Sequence, residues 1–276
     1  MHDLFYYWNF DWVIVTLILL LCAGYFYTNF YKLNKQAIYF FTGIFLVIIC
    51  TLSPLHFLGE NYLFSVHMAT HTILLLIAAP LLLAGFPVEN RCKKQFDFIS
   101  GKAAKFPFLF WIAGVGIMWI WHIPSIFNQM FLMDGMMMMG ETHQMGILHY
   151  VHLISLLMAG ILFAWPVIRP DVKNKMPALS AVLYLSSACV CCSLLGLMIT
   201  FAPPGTYPHY ENVHDMYGFL PTIRNNWNIS AAIDQQMAGL IMWVPCCFIY
   251  LSACMVILIK WFNWHQPVTL PKLVKN

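Results

Sequence analysis

The residues best suited to chemistry are two pairs of histidines within apolar segments. His67 and His71 are four residues apart, and His149 and His152 are three apart. In a helix each pair shares one face and can direct two ring nitrogens at a single ion. Neutral imidazole suits copper, zinc, iron and nickel. The alternative is that each histidine hydrogen-bonds to a neighbouring helix or lies at a wet interface, but the combined set favours a metal site.

Asp234 opens the last apolar segment and is followed by Gln235 and Gln236. An acidic side chain is costly in a membrane helix unless it is paired or coordinates an ion. Three roles remain open from the sequence. Asp234 can be a metal ligand, it can accept the ring N–H of a ligating histidine, or it can occupy a first helical turn, where the macrodipole favours an acidic residue.

A methionine-rich segment, which also contains His143, lies between two apolar segments. Its members are Met130, Met133, Met136, Met137, Met138, Met139 and Met145. Thioethers select Cu(I), so the run Met136, Met137, Met138 and Met139 is predicted to collect or hand over that ion. A flexible apolar interaction surface is the competing interpretation.

The nine cysteines fall mostly within apolar segments, so they do not suggest a disulfide framework. Two groups stand out. Cys189, Cys191 and Cys192 lie in the sixth predicted span, and Cys246, Cys247 and Cys254 lie in the seventh. A soft-metal path through the bilayer is one interpretation, and small-residue helix packing is the favoured one.

The elements that must position these residues are membrane helices. The chain is 61% hydrophobic and only 9% charged, whereas soluble domains carry roughly 25% charged residues. Seven apolar stretches are each long enough to cross a hydrocarbon core of roughly 30 Å. The predicted spans are Asp11–Thr28, Ala37–Leu55, Tyr62–Ala84, Pro107–Phe127, Ile147–Ile168, Pro177–Phe201 and Ala231–Trp261. The fold class is therefore an all-α polytopic membrane protein, a single integral membrane domain over residues 1–276.

The orientation follows from the basic residues, because Lys and Arg accumulate in cytoplasmic loops. All of them except Arg224 fall in alternate loops or in the C-terminal tail. This predicts that the N-terminus is outside and the C-terminus is cytoplasmic. The net charge of +3 is explained by these loops and does not suggest nucleic-acid binding.

This topology places every histidine except His265 on the extracytoplasmic side or in an outer half-helix. His67 and His71 lie in the outer part of the third span and His122 near the outer end of the fourth. His149 and His152 lie at the outer start of the fifth. We expect several helices to bring histidines to one membrane depth.

Several blocks of the chain together resemble the CtaG-type cytochrome c oxidase assembly factors, which are associated with caa-type oxidases. The blocks are HMATH at 67–71, APLLLAG at 79–85, WHIP at 121–124, LFAWPV at 162–167, LGLMITFA at 195–202, YPHY at 207–210, DQQ at 234–236 and GLIMWVP at 239–245. The chain departs from that family's pattern at Cys246 and Cys247, where glycines are common, and in the spacing of His149 and His152. His149 is thus less secure than His152, and the methionine cluster is peculiar to this chain.

The resemblance implies a multi-pass protein of the bacterial cytoplasmic (inner) membrane that is needed to mature an oxidase and is thought to act in copper supply to it. It carries the family's motif residues onto His67, His71, His122, His152 and Asp234. Cytochrome c oxidase subunits and periplasmic copper chaperones are the implied partners, beside the lipid bilayer.

Three classes of function remain open at this point. The main hypothesis is that His67, His71, His122 and His152, with Asp234, form a copper site for Cu(I) near the outer membrane face. Histidines on separate helices can also hold a haem for electron transfer. The third class is a metal-free assembly chaperone for oxidase subunits. No set of nucleophile, base and orienting residue suggests an enzyme.

Overall fold

The computed structural model describes residues 7–29, 35–87, 90–138, 146–169 and 176–265, with only the backbone described for 132–138 and 264–265. The described residues form helices and no strands, which confirms the all-α prediction for this part of the chain. The helices are α1 Trp12–Thr28, α2 Ala37–Leu52, α3 Pro54–Asn61, α4 Phe64–Gly85, α5 Lys93–Lys105, α6 Pro107–Trp121, α7 Pro124–Met138, α8 Ile147–Ile168, α9 Ala178–Thr200, α10 Pro208–Glu211 and α11 Ala231–His265. A π-helical turn, Thr222–Asn226, precedes α11.

Four helices are long and apolar enough to cross a membrane, namely α4, α8, α9 and α11. Two bent pairs raise the number of candidate spans to six: α2 with α3, bent by 45°, and α5 with α6, bent by 92°. Helix α1 is apolar but shorter. Within the described ranges the structure thus supports four to six spans, and the predicted seven spans and their orientation stay predictions.

Two of the predicted spans are wrong at their C-terminal ends. The span predicted to reach Leu55 ends at Leu52, because the Ser53 hydroxyl accepts a bond from the Leu55 N–H and Pro54 begins the new helix α3. The span predicted to reach Phe127 ends at Trp121. Here Pro124 begins α7, and proline disfavours helical backbone in the residue before it.

Two segments expected to be loops are helical. The basic segment between the third and fourth predicted spans contains α5, whose Ala103 packs with Trp165 of α8. The methionine-rich segment begins in α7, and Met130 is buried in the main core. Met130 is therefore a packing residue of a helix.

Helix α4 lies at the centre of the bundle, with α2, α3, α8 and α11 packed against it. Its middle turn, Leu74–Ala78, is π-helical, and the Ala79 N–H bonds to the Leu74 carbonyl. This turn precedes Pro80, which has no N–H to donate. Gly160 of α8 crosses at the same turn. A Cβ atom there would lie 2.5 Å from the Leu75 carbonyl oxygen, so only glycine allows this approach.

The outer surface of the candidate spans is apolar, whereas several polar side chains lie inside. Leu183 of α9 and Phe248 of α11 are 69% and 70% exposed. His67, His71 and His152 are buried. A large exposed apolar surface marks a contact with another apolar phase, and this distribution suits a bundle surrounded by lipid.

The α4–α8 approach makes Gly160 sensitive to substitution. We expect Gly160→Val to destabilise the purified protein by about 1–3 kcal/mol, because the added methyl groups overpack the crossing. Thermal unfolding in detergent is the measurement. Gly24→Ala in α1 is the control, since nothing lies within 4 Å of the added Cβ. Equal melting temperatures for the two variants would contradict the close crossing.

Candidate metal centre

Three predicted histidines meet at the α4–α8 contact. One ligand atom from each of His67, His71 and His152 lies within 4.8 Å of the other two. The ring centroids are 4.2 Å apart for His67 and His71 and 4.5 Å apart for His71 and His152. All three side chains are at most 3% exposed. We name this set the histidine triad.

The triad contains ring nitrogens that lack a hydrogen bond. Among the described residues, His67 Nε2, His71 Nδ1 and both nitrogens of His152 have no partner. A buried polar atom without a partner costs about 1–3 kcal/mol, and nearly all such atoms in proteins are paired. Lone pairs from three imidazoles that face one small volume fit a metal ion, which would satisfy them together.

Glu60 of α3 orients the first ligand of the triad. Its Oε1 lies 2.9 Å from His67 Nδ1. An ionised carboxylate can only accept, so His67 Nδ1–H is the donor and the lone pair stays on Nε2. A carboxylate behind a histidine is the usual arrangement around a bound metal, because it sets the tautomer and makes the ring a stronger ligand.

Glu60 also belongs to a second group of potential ligands. Ligand atoms of His56, Glu60 and His149 lie within 4.8 Å of one another. Glu60 Oε2 is 3.5 Å from His149 Nδ1, and Oε1 is 3.9 Å from His56 Nδ1. Glu60 belongs to the second group and also bonds to His67 of the triad, so it links the two groups. The histidines and the carboxylate thus form one continuous polar cluster across α3, α4 and α8.

Helix α3 reaches this position because α10 and α4 hold its C-terminal end. The Tyr210 hydroxyl donates to the Gly59 carbonyl at 2.6 Å, and His209 Nε2 donates to the Glu60 carbonyl at 2.7 Å. Burial lowers the pKa of His209, which favours the neutral ring. A Cβ atom on Gly59 would lie 3.0 Å from the His67 backbone nitrogen. Glycine therefore lets α3 bring Glu60 against His67.

His122 lies beside the triad and outside it. Its Nδ1 donates to the Met118 carbonyl at 2.6 Å, which leaves the lone pair on Nε2. That nitrogen faces Met68 Sδ at 3.2 Å. The ring centroids of His122 and His71 are 5.7 Å apart. His122 and Met68 therefore present an imidazole nitrogen and a thioether sulfur side by side.

Asp234 lies outside both groups and caps a helix from another part of the chain. Its carboxylate accepts the backbone N–H groups of Phe64 at 2.7 Å and Ser65 at 3.0 Å, together with the Ser65 hydroxyl. These are the first N–H groups of α4, whose N-terminal end has no local side-chain cap. The sequence left open metal ligation, a bond to a histidine and a place in the first turn of α11, and Asp234 does lie in that first turn. Its side chain also fixes the start of α4, and with it His67.

The predicted methionine ligands cannot be placed at the site. Met136, Met137 and Met138 lie in α7, but only their backbone is described, and Met139 lies outside the described residues. Sequence reasoning also missed Glu60, His56 and Met68 as site residues. The spacing of His56 and Glu60, four residues apart in an outer segment with few other acids, is the signal that could have found this pair.

The fold and the site define a class of protein. The chain is a helical bundle with several candidate membrane spans, and it encloses a buried cluster of histidines and one carboxylate. The model of one family, the cytochrome c oxidase caa3 assembly factor (Caa3_CtaG), matches residues 28–263. The chain belongs to this family, which confirms the resemblance seen in the sequence. Searches of curated proteins and of solved structures find no match.

The role of Asp234 as a cap predicts an effect on stability in the absence of metal. We expect Asp234→Asn to destabilise the metal-free protein by about 1–3 kcal/mol, because one N–H of α4 loses its acceptor in a buried position. Thermal unfolding in detergent is compared with that of Glu211→Gln, an exposed acidic residue of α10. Unchanged unfolding together with loss of bound metal would assign Asp234 to ligation.

Proposed function

We propose that this oxidase assembly factor binds copper at the histidine triad and delivers it during maturation of the oxidase. The family establishes the connection with cytochrome c oxidase assembly. The observation that supports the copper role is the convergence of buried ring nitrogens without hydrogen bonds on one small volume, with Glu60 behind His67. The family's role in assembly also favours a non-catalytic function.

Copper is the ion that best suits the ligands around the triad. Imidazole alone does not distinguish among copper, zinc, iron and nickel. The thioether of Met68, which lies 3.2 Å from His122 Nε2, adds a soft donor next to the triad. Soft sulfur ligands select Cu(I). An ion held by His67, His71 and His152 can therefore exchange onto His122 and Met68 without leaving the buried site.

The proposed setting is the bacterial cytoplasmic membrane, with the site near the extracytoplasmic face. The apolar exposed surfaces of the candidate spans support a membrane location. The proposed partners are the cytochrome c oxidase subunits that receive copper and periplasmic copper chaperones that supply it. Met136 to Met139, at the end of α7, are proposed to exchange Cu(I) with such partners.

The two alternative functions explain the geometry less well. A haem with two histidine ligands needs space for a macrocycle between the rings, whereas the triad rings are in direct contact. A metal-free chaperone with structural histidines needs each ring to bond a neighbouring helix. His152 makes no such bond to any described residue.

The triad predicts the amount of copper that the protein binds. Purified protein reconstituted with Cu(I) under reducing conditions should lose most of its bound copper in His67→Ala, His71→Ala, because two ligands on one helix face are removed. His214→Ala, an exposed histidine, is the control. The measurement is the copper-to-protein ratio, with an absorption spectrum that should lack a Soret band. An unchanged ratio in the double variant would rule out the triad as the copper site.

The bond between Glu60 and His67 predicts that a substitution of Glu60 changes the affinity for copper but not the number of copper ions bound. Glu60→Gln retains the shape of the side chain but loses the charge that makes His67 a stronger ligand. We expect Cu(I) affinity to fall about 10–100-fold, while saturating copper still fills the site. Competition with a chromophoric Cu(I) chelator measures the affinity. Glu211→Gln is the matched control, and equal affinities for the two variants would contradict the role of Glu60.

A further inference from the structure

A second group of soft ligands lies further along the bundle, beyond His71. It consists of Met118 of α6, Cys192 of α9 and Cys246 of α11, each about 1% exposed. Cys192 Sγ lies 3.8 Å from Met118 Sδ, and Cys246 belongs to the same core cluster and lines the same small pocket as Met118. Three sulfur-containing side chains from three helices thus lie in one part of the core. We name them the sulfur cluster.

The spacing of these sulfur atoms suits a single ion. Metal–sulfur bonds are about 2.3 Å long, so three sulfurs in a plane around one ion lie about 4 Å apart. The distance of 3.8 Å between Cys192 Sγ and Met118 Sδ matches this value. A set of two thiols and one thioether is soft and selects Cu(I). It lacks the fourth ligand that a structural zinc site requires.

A small internal pocket is bordered both by histidines and by members of the sulfur cluster. Its lining includes His71, His122, Met118 and Cys246. A second small pocket is lined in part by Met118 and Cys192. Met242 also lines the first pocket, and its Sδ lies 3.8 Å from the Thr72 hydroxyl. Two histidines and three sulfur-containing side chains therefore border the first pocket.

We infer that Met118, Cys192 and Cys246 form a buried Cu(I) site, separate from the histidine triad and next to a pocket that His71 of the triad also lines. The inference rests on the proposed copper function and adds a second position for the ion within the bundle. Both thiols lose their protons when they bind the ion, because the thiolate is the form that ligates a metal. Two protons are released, and the complex of Cu(I) with two thiolates and a neutral thioether carries one negative charge.

Packing is the competing explanation, since a buried cysteine also behaves as a small apolar residue. If the cysteines only pack, the bound copper has no ligands from the sulfur cluster; if they form a site, it has sulfur ligands from there. Copper X-ray absorption of the Cu(I)-loaded full-length protein in detergent distinguishes nitrogen from sulfur ligands, and titration against a chromophoric Cu(I) chelator counts the ions. We expect the wild-type protein to show both kinds of ligand.

The variants assign the sulfur signal to its residues. Cys192→Ala, Cys246→Ala should lose most of the sulfur signal and one copper equivalent while it keeps the nitrogen-bound copper, which also shows that the variant is folded. Met118→Leu preserves the packing and should lose one sulfur ligand. The controls are Cys22→Ser in α1 and Cys191→Ser in α9, cysteines outside the cluster.

Each outcome decides between the proposals. Loss of sulfur-bound copper in the cysteine and methionine variants, but not in the controls, supports the sulfur cluster. Wild-type protein whose copper has only nitrogen ligands would overturn the cluster and leave the triad intact. Wild-type protein that binds no copper would overturn both. If the double variant does not fold, an unchanged sulfur signal in Met118→Leu overturns the assignment.

Discussion

Polar atoms enclosed by an apolar bundle must find their partners inside it, and most features of this protein follow from that constraint. The outer surface of the candidate spans is apolar, so neither lipid nor neighbouring side chains there can bond to a buried imidazole. Asp234 meets the requirement by capping α4. Glu60 meets it through His67. His71 Nδ1 and both nitrogens of His152 have no partner among the described residues, and the proposed ion would supply one.

The two helix breaks help to position the residues of the site. The break at Ser53 and Pro54 bends α3 by 45° from α2. After the turn that follows α3, Glu60 meets His67, which lies seven residues further along the chain. The break after Trp121 leaves His122 at the end of α6, where its Nδ1 bonds to the Met118 carbonyl of the last helical turn. A straight continuation of either helix would not produce these contacts. The interruptions that made two span predictions wrong are thus part of what positions the site.

Local patterns predicted the parts of the site that depend on a single helix. The four-residue spacing of His67 and His71 requires a shared face, and the two rings are in contact. The approach of His152 depends on the crossing at Gly160, which a pattern within one segment does not encode. The bonds of Asp234 join residues 170 positions apart in the chain. The sequence therefore indicated that a buried carboxylate at this position needs a partner, but it did not indicate which residue the partner is. Glu60 was missed because its role depends on the turn between α3 and α4.

Charge balance distinguishes the two proposed positions for the ion. Glu60 is the one carboxylate that contacts the triad among the described residues, and the negative charge of Asp234 is already compensated by the N-terminal end of α4. A monovalent ion on neutral imidazoles beside Glu60 makes a site with no net charge, whereas a divalent ion leaves an uncompensated positive charge. At the proposed sulfur cluster both thiols would ionise, so a Cu(I) complex there would carry one negative charge. Of the two proposed positions, the triad beside Glu60 is therefore the one where a monovalent ion leaves no net charge.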